Sequence, residues 1–333
     1  MDHDLNGIKL AAEGYVFVTY GENKYLKNAL SSVTTLRRYD TQRPVVLFCS
    51  PEHHKLLKEH AIDDIFNFIF QLPAENQSII GFKHNLHQFL PFNKNLIIDS
   101  DTLWCKNPDS LWNSLSGYGF TITGTQKADL FFGSSKGFSI LGDLIMMKRQ
   151  RTLKKFNLTY LSRVQAGMIY ISDHKLAEIV CGEAKNFFKD RNFTHFKSRK
   201  EETGRDDESC EWSLAMAMAK LKLQVFPWLN GFESPQLDYI DTFTIHDEDY
   251  KNVRCLFYSD RLVYDLKGLQ IRWLQKFFLK FLTSIPGKGD YMYVTPYCLH
   301  FGWMHQKKYL REFTEKNWQQ LTQQKKIPVI DEG

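Results

Sequence analysis

The sequence lacks the long apolar run, the paired cysteines and the block of basic residues that mark three large classes of protein. No stretch approaches the roughly 20 apolar residues that a membrane-spanning helix needs. The six cysteines are scattered and form no C-x-x-C pair, which argues against a zinc site or a disulfide framework and favours buried thiols in a reducing compartment. No Lys/Arg block resembles a nucleic-acid-binding arm, so we expect no nucleic-acid partner.

The first residues, MDHDLNGIKLAAEG, are acidic and poor in apolar side chains. They do not resemble a secretion signal, so we expect a cytoplasmic protein, at most peripheral to a membrane. The net charge of +5 is modest for 333 residues and fits a negatively charged small ligand or a membrane surface. A hydrophobic fraction of 43% is ordinary for a soluble globular protein.

Apolar segments alternate between strand and helix spacing along the chain. The strands are predicted at residues 15–19, 45–48, 65–70, 96–98, 120–124 and 164–172. The helices are predicted at residues 25–36, after Ser50-Pro51, and at 82–90, 212–219, 271–282 and 309–321. This alternation predicts a nucleotide-binding α/β sheet with helices on its faces.

The most informative stretch is KNLIIDSDTLW, from Lys94 to Trp104. Its apolar run LII predicts a strand buried on both faces, and ligands bind beyond the carboxyl ends of such strands. Asp99 and Asp101 follow that run, and their carboxylates suit Mg²⁺ or Mn²⁺ bound with a diphosphate. The alternative is that these residues only cap a turn, but the strand before them favours the metal site.

The layout and motifs resemble the sugar-nucleotide-dependent glycosyltransferases of the GT-A fold, most closely the family 8 group that includes glycogenin and bacterial galactosyl- and glucosyltransferases. The likeness covers roughly residues 14–230 and the segment around His300. The segments that carry it are VTYGENKYLKNAL, FLPFNKNLIIDSDTLW with the following NPDSLW, VQAGMIYIS and YCLHFGW.

The resemblance implies an α/β fold of the GT-A type, a Rossmann-like mixed sheet flanked by helices. The expected divisions are an N-terminal tail at 1–13, a catalytic domain at 14–306 and a C-terminal helix and tail at 307–333. Within the domain, the segments at about 126–160 and 231–290 are expected to vary; the first is interpreted as an insertion or cover near the donor site.

The resemblance also implies a donor pocket at the sheet edge. Thr19, Tyr20 and Tyr25 would line the uracil pocket, although the Tyr25 ring could equally pack between helix and sheet. Lys83 lies sixteen residues before Asp99 and would reach the donor phosphates or sugar; the alternative is a solvated surface charge.

Four further donor-binding residues are expected near the sugar. Asp99 and Ser100 belong to the D-x-D motif. Gly167 matches the family's N-[SA]-G-V segment, where a glycine permits close backbone approach to a ligand. Gln165 stands where the family has Asn.

His300, in an H-x-G arrangement, resembles the third metal ligand beside Asp99 and Asp101. An imidazole favours Mn²⁺, with Mg²⁺ as the alternative. His300 could instead be a structural group, and His246 in TIHDED is the rival ligand. The family's lysine five residues further on is replaced by His305, with Lys307 close by.

A last candidate, Glu211, lies at the start of the helix predicted from Trp212. Related enzymes place an acidic or amide residue near the sugar and acceptor here, but the family's Asp falls on Cys210. Glu211 is expected to take that place; the alternative is a solvated acid at a helix N-terminus. The polar residues 192–210 before it predict a mobile loop.

The stretch IRWLQKFFLKFL combines aromatic and basic residues at helical spacing. It places Ile271, Leu274, Phe278 and Phe281 on one face. Core packing is the favoured interpretation, and a basic amphipathic helix resting on an anionic membrane is the alternative.

Together these features predict a metal-dependent glycosyltransferase that moves a hexose from a nucleotide sugar, UDP-glucose or UDP-galactose, to a glycan, lipid or protein acceptor with retention. Asp101, Lys83 and Glu211 are the predicted catalytic residues. One alternative is a sugar-nucleotide or carbohydrate-binding protein with little or no turnover. A nucleotidyltransferase is the second alternative, although no Gly-rich phosphate loop follows the first strand.

Overall fold

The computed structural model describes residues 9–126, 142, 143, 145–198, 207–257, 271–284, 292–302 and 306–324. The strands in these ranges are β1 (Ala11–Thr19), β2 (Val45–Cys49), β3 (Phe68–Gln71), β4 (Phe92–Ile98), β5 (Thr102–Trp104), β6 (Phe120–Thr125), β7 (Arg163–Ile171), β8 (Phe226–Pro227), β9 (Gln236–Asp238), β10 (Thr244–Ile245), β11 (Arg254–Phe257), β12 (Met292–Val294) and β13 (Cys298–His300). The helices are α1 (Asn23–Leu36), α2 (Pro51–Glu59), α3 (Ile79–Lys83), α4 (Asp109–Leu115), α5 (Lys148–Lys155), α6 (His174–Lys189), α7 (Glu211–Lys220), α8 (Arg272–Thr283) and α9 (Lys307–Gln324).

A seven-stranded mixed sheet with helices on both faces forms the centre, as the sequence predicts. Its strand order is β3-β2-β1-β4-β7-β6-β8, and within it only β7 runs against its neighbours. The apolar run of β4 is buried on both faces: Ile97 packs into the core beside α3, α6 and α7, whereas Leu96 and Ile98 pack beside α1, α2 and α4. This two-sided burial explains why β4 is continuously apolar.

A small sheet, β5-β13-β9, adjoins the carboxyl end of β4. Strand β13 pairs antiparallel with β5 and parallel with β9, so that His300 lies opposite both Thr102 and Asp238. Because β5 begins directly after Asp101, this pairing brings a histidine from the end of the chain to the acidic turn. A second small sheet, β10-β11-β12, lies further along the chain.

Most of the helices predicted from the sequence are present in the structure. Ser50 caps α2 by accepting a hydrogen bond from His53 N, with Pro51 in the first turn. The helix predicted at residues 309–321 forms as α9, in which Leu310 and Phe313 are buried. All six cysteines are buried free thiols, also as predicted.

The helix predicted at residues 82–90 is wrong. The chain instead forms the short α3 and a separate 3-10 turn at Leu86–Gln88. Helix α3 starts early because the hydroxyl of Ser78 caps Gly81 N at 2.8 Å. It ends early because Asn85 Nδ2 donates to Gly81 O at 2.8 Å, a local side-chain bond that competes with continued helix.

The prediction that helix α8 packs into the core is also wrong. Ile271, Phe278 and Phe281 are 50%, 36% and 56% exposed. Among the side chains described in this helix, Leu274 is half-buried and Gln275 is buried, at 3% exposure. Gln275 Oε1 accepts a hydrogen bond from the hydroxyl of Thr242 at 2.9 Å. Of the helices described, none combines the length and the apolar character that crossing a bilayer requires.

Parts of the predicted variable segments lie outside the described residues. These are residues 127–141 and 144 of the first segment, and 258–270 and 285–291 near the second. The basic run KRQRTLKK forms α5. Residues 199–206 of the predicted mobile loop and His305 also lie outside the described residues.

Candidate metal and donor site

Asp99, Asp101 and His300 meet at the carboxyl end of β4. One carboxylate oxygen from each aspartate and one ring nitrogen of His300 all lie within 4.8 Å of one another. His300 Nε2 is 3.6 Å from Asp101 Oδ1. Among the described residues, this is the only group of three His, Cys, Asp or Glu side chains with such spacing. Two hard oxygen donors and an imidazole suit Mn²⁺ or Mg²⁺, so the side chains fit a divalent ion.

The backbone around these ligands is fixed by strand pairing. Asp99 N donates to Gly167 O at 2.9 Å, which ties the acidic turn to β7. Phe301 N donates to Asp101 O at 2.9 Å, which continues the β5-β13 pairing past His300. The three side chains are therefore carried by hydrogen-bonded strand ends, and their convergence does not depend on a free loop.

His300 is oriented by a buried polar network. Its Nδ1 lies 2.7 Å from Asp238 Oδ1, and Gln165 Nε2 lies 3.0 Å from that oxygen and 2.6 Å from Nδ1. An amide nitrogen only donates, so Gln165 Nε2 cannot accept a proton from the imidazole. We therefore assign both His300 Nδ1–H and Gln165 Nε2–H as donors to Asp238 Oδ1. Gln236 Nε2 in turn donates to Gln165 Oε1 and to the hydroxyl of Thr123, each at 2.7 Å. This arrangement leaves Nε2 of His300 facing Asp101.

The H-x-G pattern has a steric explanation. A Cβ added to Gly302 would lie 2.5 Å from His300 Cε1, closer than real Cβ contacts. At Gly167, a Cβ would lie 3.1 Å from Gln236 Oε1 and 3.5 Å from His300 Cδ2. The two glycines therefore make room for the His300 ring and for the amide beside it.

Charge within the cluster stabilises both Asp101 and His300 in their ionised forms. Burial raises the pKa of the Asp101 carboxyl, but His300 and Lys307 outweigh it, so that pKa lies below its ordinary value. Burial lowers the pKa of the His300 imidazole, but Asp101 and Asp238 outweigh it and raise that pKa to about 9. Binding a cation through Nε2 therefore requires release of a proton.

Lys83 ends α3 and is only 6% exposed. Its Nζ donates to Asp99 Oδ1 and to Ala166 O, both at 2.7 Å. The alternative of a solvated surface charge is therefore wrong. Glu211 Oε1 accepts a hydrogen bond from Ala166 N at 3.3 Å, so Lys83 and Glu211 hold the backbone of the same β7 residue beside the acidic turn.

Two residues in contact with the cluster were not among the predicted site residues. Lys307, the first residue of α9, places Nζ 3.1 Å from Asp101 Oδ2. The sequence did contain a signal for Lys307. The family's lysine position near the H-x-G motif holds His305, and Lys307 is a lysine close to that position. Asp238 had no signal in the sequence, because only the pairing of β9 with β13 brings it to His300.

The predicted base-pocket residues lie at the end of β1 and the start of α1. Thr19 is buried, and its hydroxyl has no hydrogen-bond partner among the described residues. Burial raises the pKa of the Tyr20 hydroxyl, and Asp207 and Asp99 add to the effect, so Tyr20 lies within electrostatic range of the acidic turn. Tyr25 is 37% exposed, so its ring does not pack between helix and sheet. Ser100 is half-buried in the turn.

His246 lies apart from this cluster. Its Nε2 is 3.1 Å from the hydroxyl of Tyr239, its Nδ1 is 2.8 Å from Asp247 O, and its ring stacks on Tyr250. Both ring nitrogens are engaged elsewhere, so the structure brings His300, and not His246, to the two aspartates.

No protein-family model matches the sequence, and no curated protein matches it at a significant level. Among solved structures, the glycosyltransferase GlyE of Streptococcus pneumoniae TIGR4 has 13% sequence identity and a TM-score of 0.47, over 96% of this chain and 63% of GlyE. The galactosyltransferase LgtC, in complex with donor and acceptor sugar analogues, has 9% identity and a TM-score of 0.46, over 93% of this chain and 99% of LgtC. Mouse xyloside xylosyltransferase 1 has 8% identity and a TM-score of 0.42, over 68% of this chain and 88% of that protein.

This chain spans 63% of the length of GlyE. These three structures are of glycosyltransferases. At this level of similarity we assign no activity from them.

Proposed function

We propose that the protein is a metal-dependent glycosyltransferase that transfers a hexose from UDP-glucose or UDP-galactose to an acceptor hydroxyl with retention of configuration. The observation that carries the proposal is the convergence of Asp99, Asp101 and His300 at the carboxyl end of a buried strand, with Lys83 and Lys307 in contact with the aspartates. Open α/β sheets bind their ligands at this edge.

Asp99, Asp101 and His300 Nε2 would hold Mn²⁺, or Mg²⁺ as the alternative. A bound divalent ion would neutralise charge that grows on the departing diphosphate. Lys83 and Lys307 carry further positive charge at the same place. Of the three ammonium protons on each, Lys83 commits two to Asp99 and Ala166 and Lys307 commits one to Asp101, which leaves one and two for diphosphate oxygens. Preorganised cations of this kind stabilise a leaving group where its charge develops.

The nucleoside would lie toward Thr19, Tyr20 and Tyr25, with the Tyr25 ring available for stacking on the uracil. Gly167 and Ser100 would lie beside the donor sugar. Gln165 has its amide committed to Asp238 and Gln236, so it serves this site by holding the partner of His300.

In the transfer, the bond from the anomeric carbon to the diphosphate oxygen breaks and a bond to the acceptor oxygen forms on the same face. The acceptor proton leaves with the diphosphate. If inversion occurs instead, a carboxylate base is required and Glu211 is the candidate. Measuring the anomeric configuration of the product distinguishes retention from inversion.

Release of UDP from UDP-glucose and UDP-galactose with Mn²⁺, without added acceptor, tests the proposal. We expect slow metal-dependent release that Asp101→Asn abolishes and that Asp109→Asn, an exposed control, leaves unchanged. A protein that binds UDP-sugars but releases no UDP would be a binding protein. Formation of a nucleotide sugar with release of pyrophosphate would identify a nucleotidyltransferase.

A further inference from the structure

Helix α8 presents several large apolar side chains to solvent. Trp273, Phe277 and Phe281 follow one another at intervals of four residues and are 70%, 57% and 56% exposed. Ile271 and Phe278 extend the same side of the helix. We call these five residues the aromatic face. Exposed apolar patches of this kind mark surfaces that contact something else.

Polar contacts hold the helix in this orientation. Gln275, on the inward side, bonds to Thr242, and Arg272 pairs with Asp241 at the start of the helix. Tyr309 of α9 also bonds to Asp241. These contacts attach the helix through Gln275 and Arg272, while Trp273, Phe277 and Phe281 stay exposed.

The charged residues of α8 itself are all basic. The sequence of α8, RWLQKFFLKFLT, contains Arg272, Lys276 and Lys280 and no acidic residue. Lys276 and Lys280 are exposed and lie one turn apart along the edge of the aromatic face. Lysines beside exposed Trp and Phe side chains are the pattern of a helix that lies in the interface of an anionic bilayer.

The attachment of α8 also places it beside the candidate site. Asp241 lies three residues after Asp238, which bonds to His300. Tyr309 lies two residues after Lys307, which bonds to Asp101. Both anchors of α8 therefore belong to segments that contact the metal ligands.

We propose that the aromatic face of α8 docks the protein on an anionic lipid surface, with Lys276 and Lys280 at the headgroups. If the proposed glycosyltransferase function holds, this docking presents the donor site to acceptors carried on that surface. A second copy of the chain is a poorer occupant, because a two-fold contact through this face would bring Lys276 and Lys280 of both copies together.

Co-sedimentation of the full chain with vesicles tests the docking without any measurement of turnover. We expect binding to vesicles of phosphatidylcholine with phosphatidylglycerol at about 0.1 M salt, and loss of binding at about 1 M salt, where screening shortens from roughly 10 Å to roughly 3 Å. Vesicles of phosphatidylcholine alone should bind the protein weakly. Asp101→Asn should still bind, so a failed function and a failed docking give different results.

Two double variants separate the contributions of charge and apolar contact. Lys276→Glu with Lys280→Glu should weaken binding by at least about 25-fold, since each cation near an anionic surface contributes about five-fold. Trp273→Ser with Phe277→Ser should weaken it as well while leaving the melting temperature unchanged, because both side chains are exposed.

The matched control is Lys175→Glu with Lys189→Glu, which makes the same change of net charge at two exposed positions of α6. Equal loss of binding in this control would reduce the effect to bulk charge and overturn the proposal. Absence of pelleting at low salt would also overturn it. So would a dimer in solution that the Trp273→Ser with Phe277→Ser variant converts to a monomer.

Discussion

Helices α6 and α8 have similar patterns of apolar residues and opposite environments. In α6 the apolar stripe is buried in the core beside α7, with Ala177, Val180, Ala184 and Phe187 at 5% exposure or less. In α8 the residues of the aromatic face are each at least 36% exposed, and a glutamine is buried. Helical periodicity therefore identifies which face is apolar, but what covers that face depends on neighbours that the local sequence does not specify.

The largest effect expected from this difference is in α6. Phe187→Ala should lower the free energy of unfolding by about 3–5 kcal/mol, because it empties a buried aromatic site whose ring packs against Phe156. Denaturant unfolding measures the change. Ile179→Ala, at a position of the same helix that is 44% exposed, is the control and should cost about 0.5 kcal/mol or less. Similar losses in both variants would contradict the burial of this face.

The candidate site is expected to be packed as tightly as the α6 side of the sheet. Gly302→Ala should cost about 1–3 kcal/mol of stability, because the new methyl group would overlap the His300 ring and force it to move. It should also weaken Mn²⁺ binding. Gly117→Ala is the control, since nothing lies within 4 Å of the added Cβ. Unchanged metal affinity in Gly302→Ala would mean that the position of His300 does not matter for the ion.

Asp238 tests whether the buried network serves the metal site. Asp238→Ala should weaken Mn²⁺ binding in the presence of UDP by roughly 10–100-fold, because His300 loses the acceptor that holds its Nδ1–H. Asp238→Asn keeps a carbonyl acceptor and should recover part of that loss. Calorimetric titration measures both variants. If both variants bind like the parent, the network has no role in ion binding.

The sheet and the acidic turn could be predicted because their signals are local. Residues 96–98 form an unbroken apolar run, and Asp99 and Asp101 follow within three positions. His300 could be found because it is followed by Gly302 in the H-x-G pattern, and a side chain at Gly302 would overlap the His300 ring. Asp238 could not, since it reaches His300 only through a strand pair that joins residues 62 positions apart.

Local bonding explains the wrong predictions. The helix expected at residues 82–90 ends early because Asn85 bonds to Gly81 O, a competition that apolar spacing does not reveal. The orientation of α8 depends on Thr242 and Asp241, which lie outside the helix and bind its polar side. The periodicity of a sequence shows only where its apolar residues lie. It could not show that polar contacts determine which side of α8 faces inward.

The smallest expected effect is in α8, where removing an aromatic side chain should cost less stability than removing a polar one. In α8, Phe277→Ala should change the free energy of unfolding by about 0.5 kcal/mol or less, because its side chain is 57% exposed and loses little burial. Gln275→Ala should cost more, about 1 kcal/mol, because it removes the buried hydrogen bond to Thr242. Denaturant unfolding of the two variants compares them directly. A larger loss for Phe277→Ala would show that the aromatic face packs against the protein, and would remove the surface available for lipid.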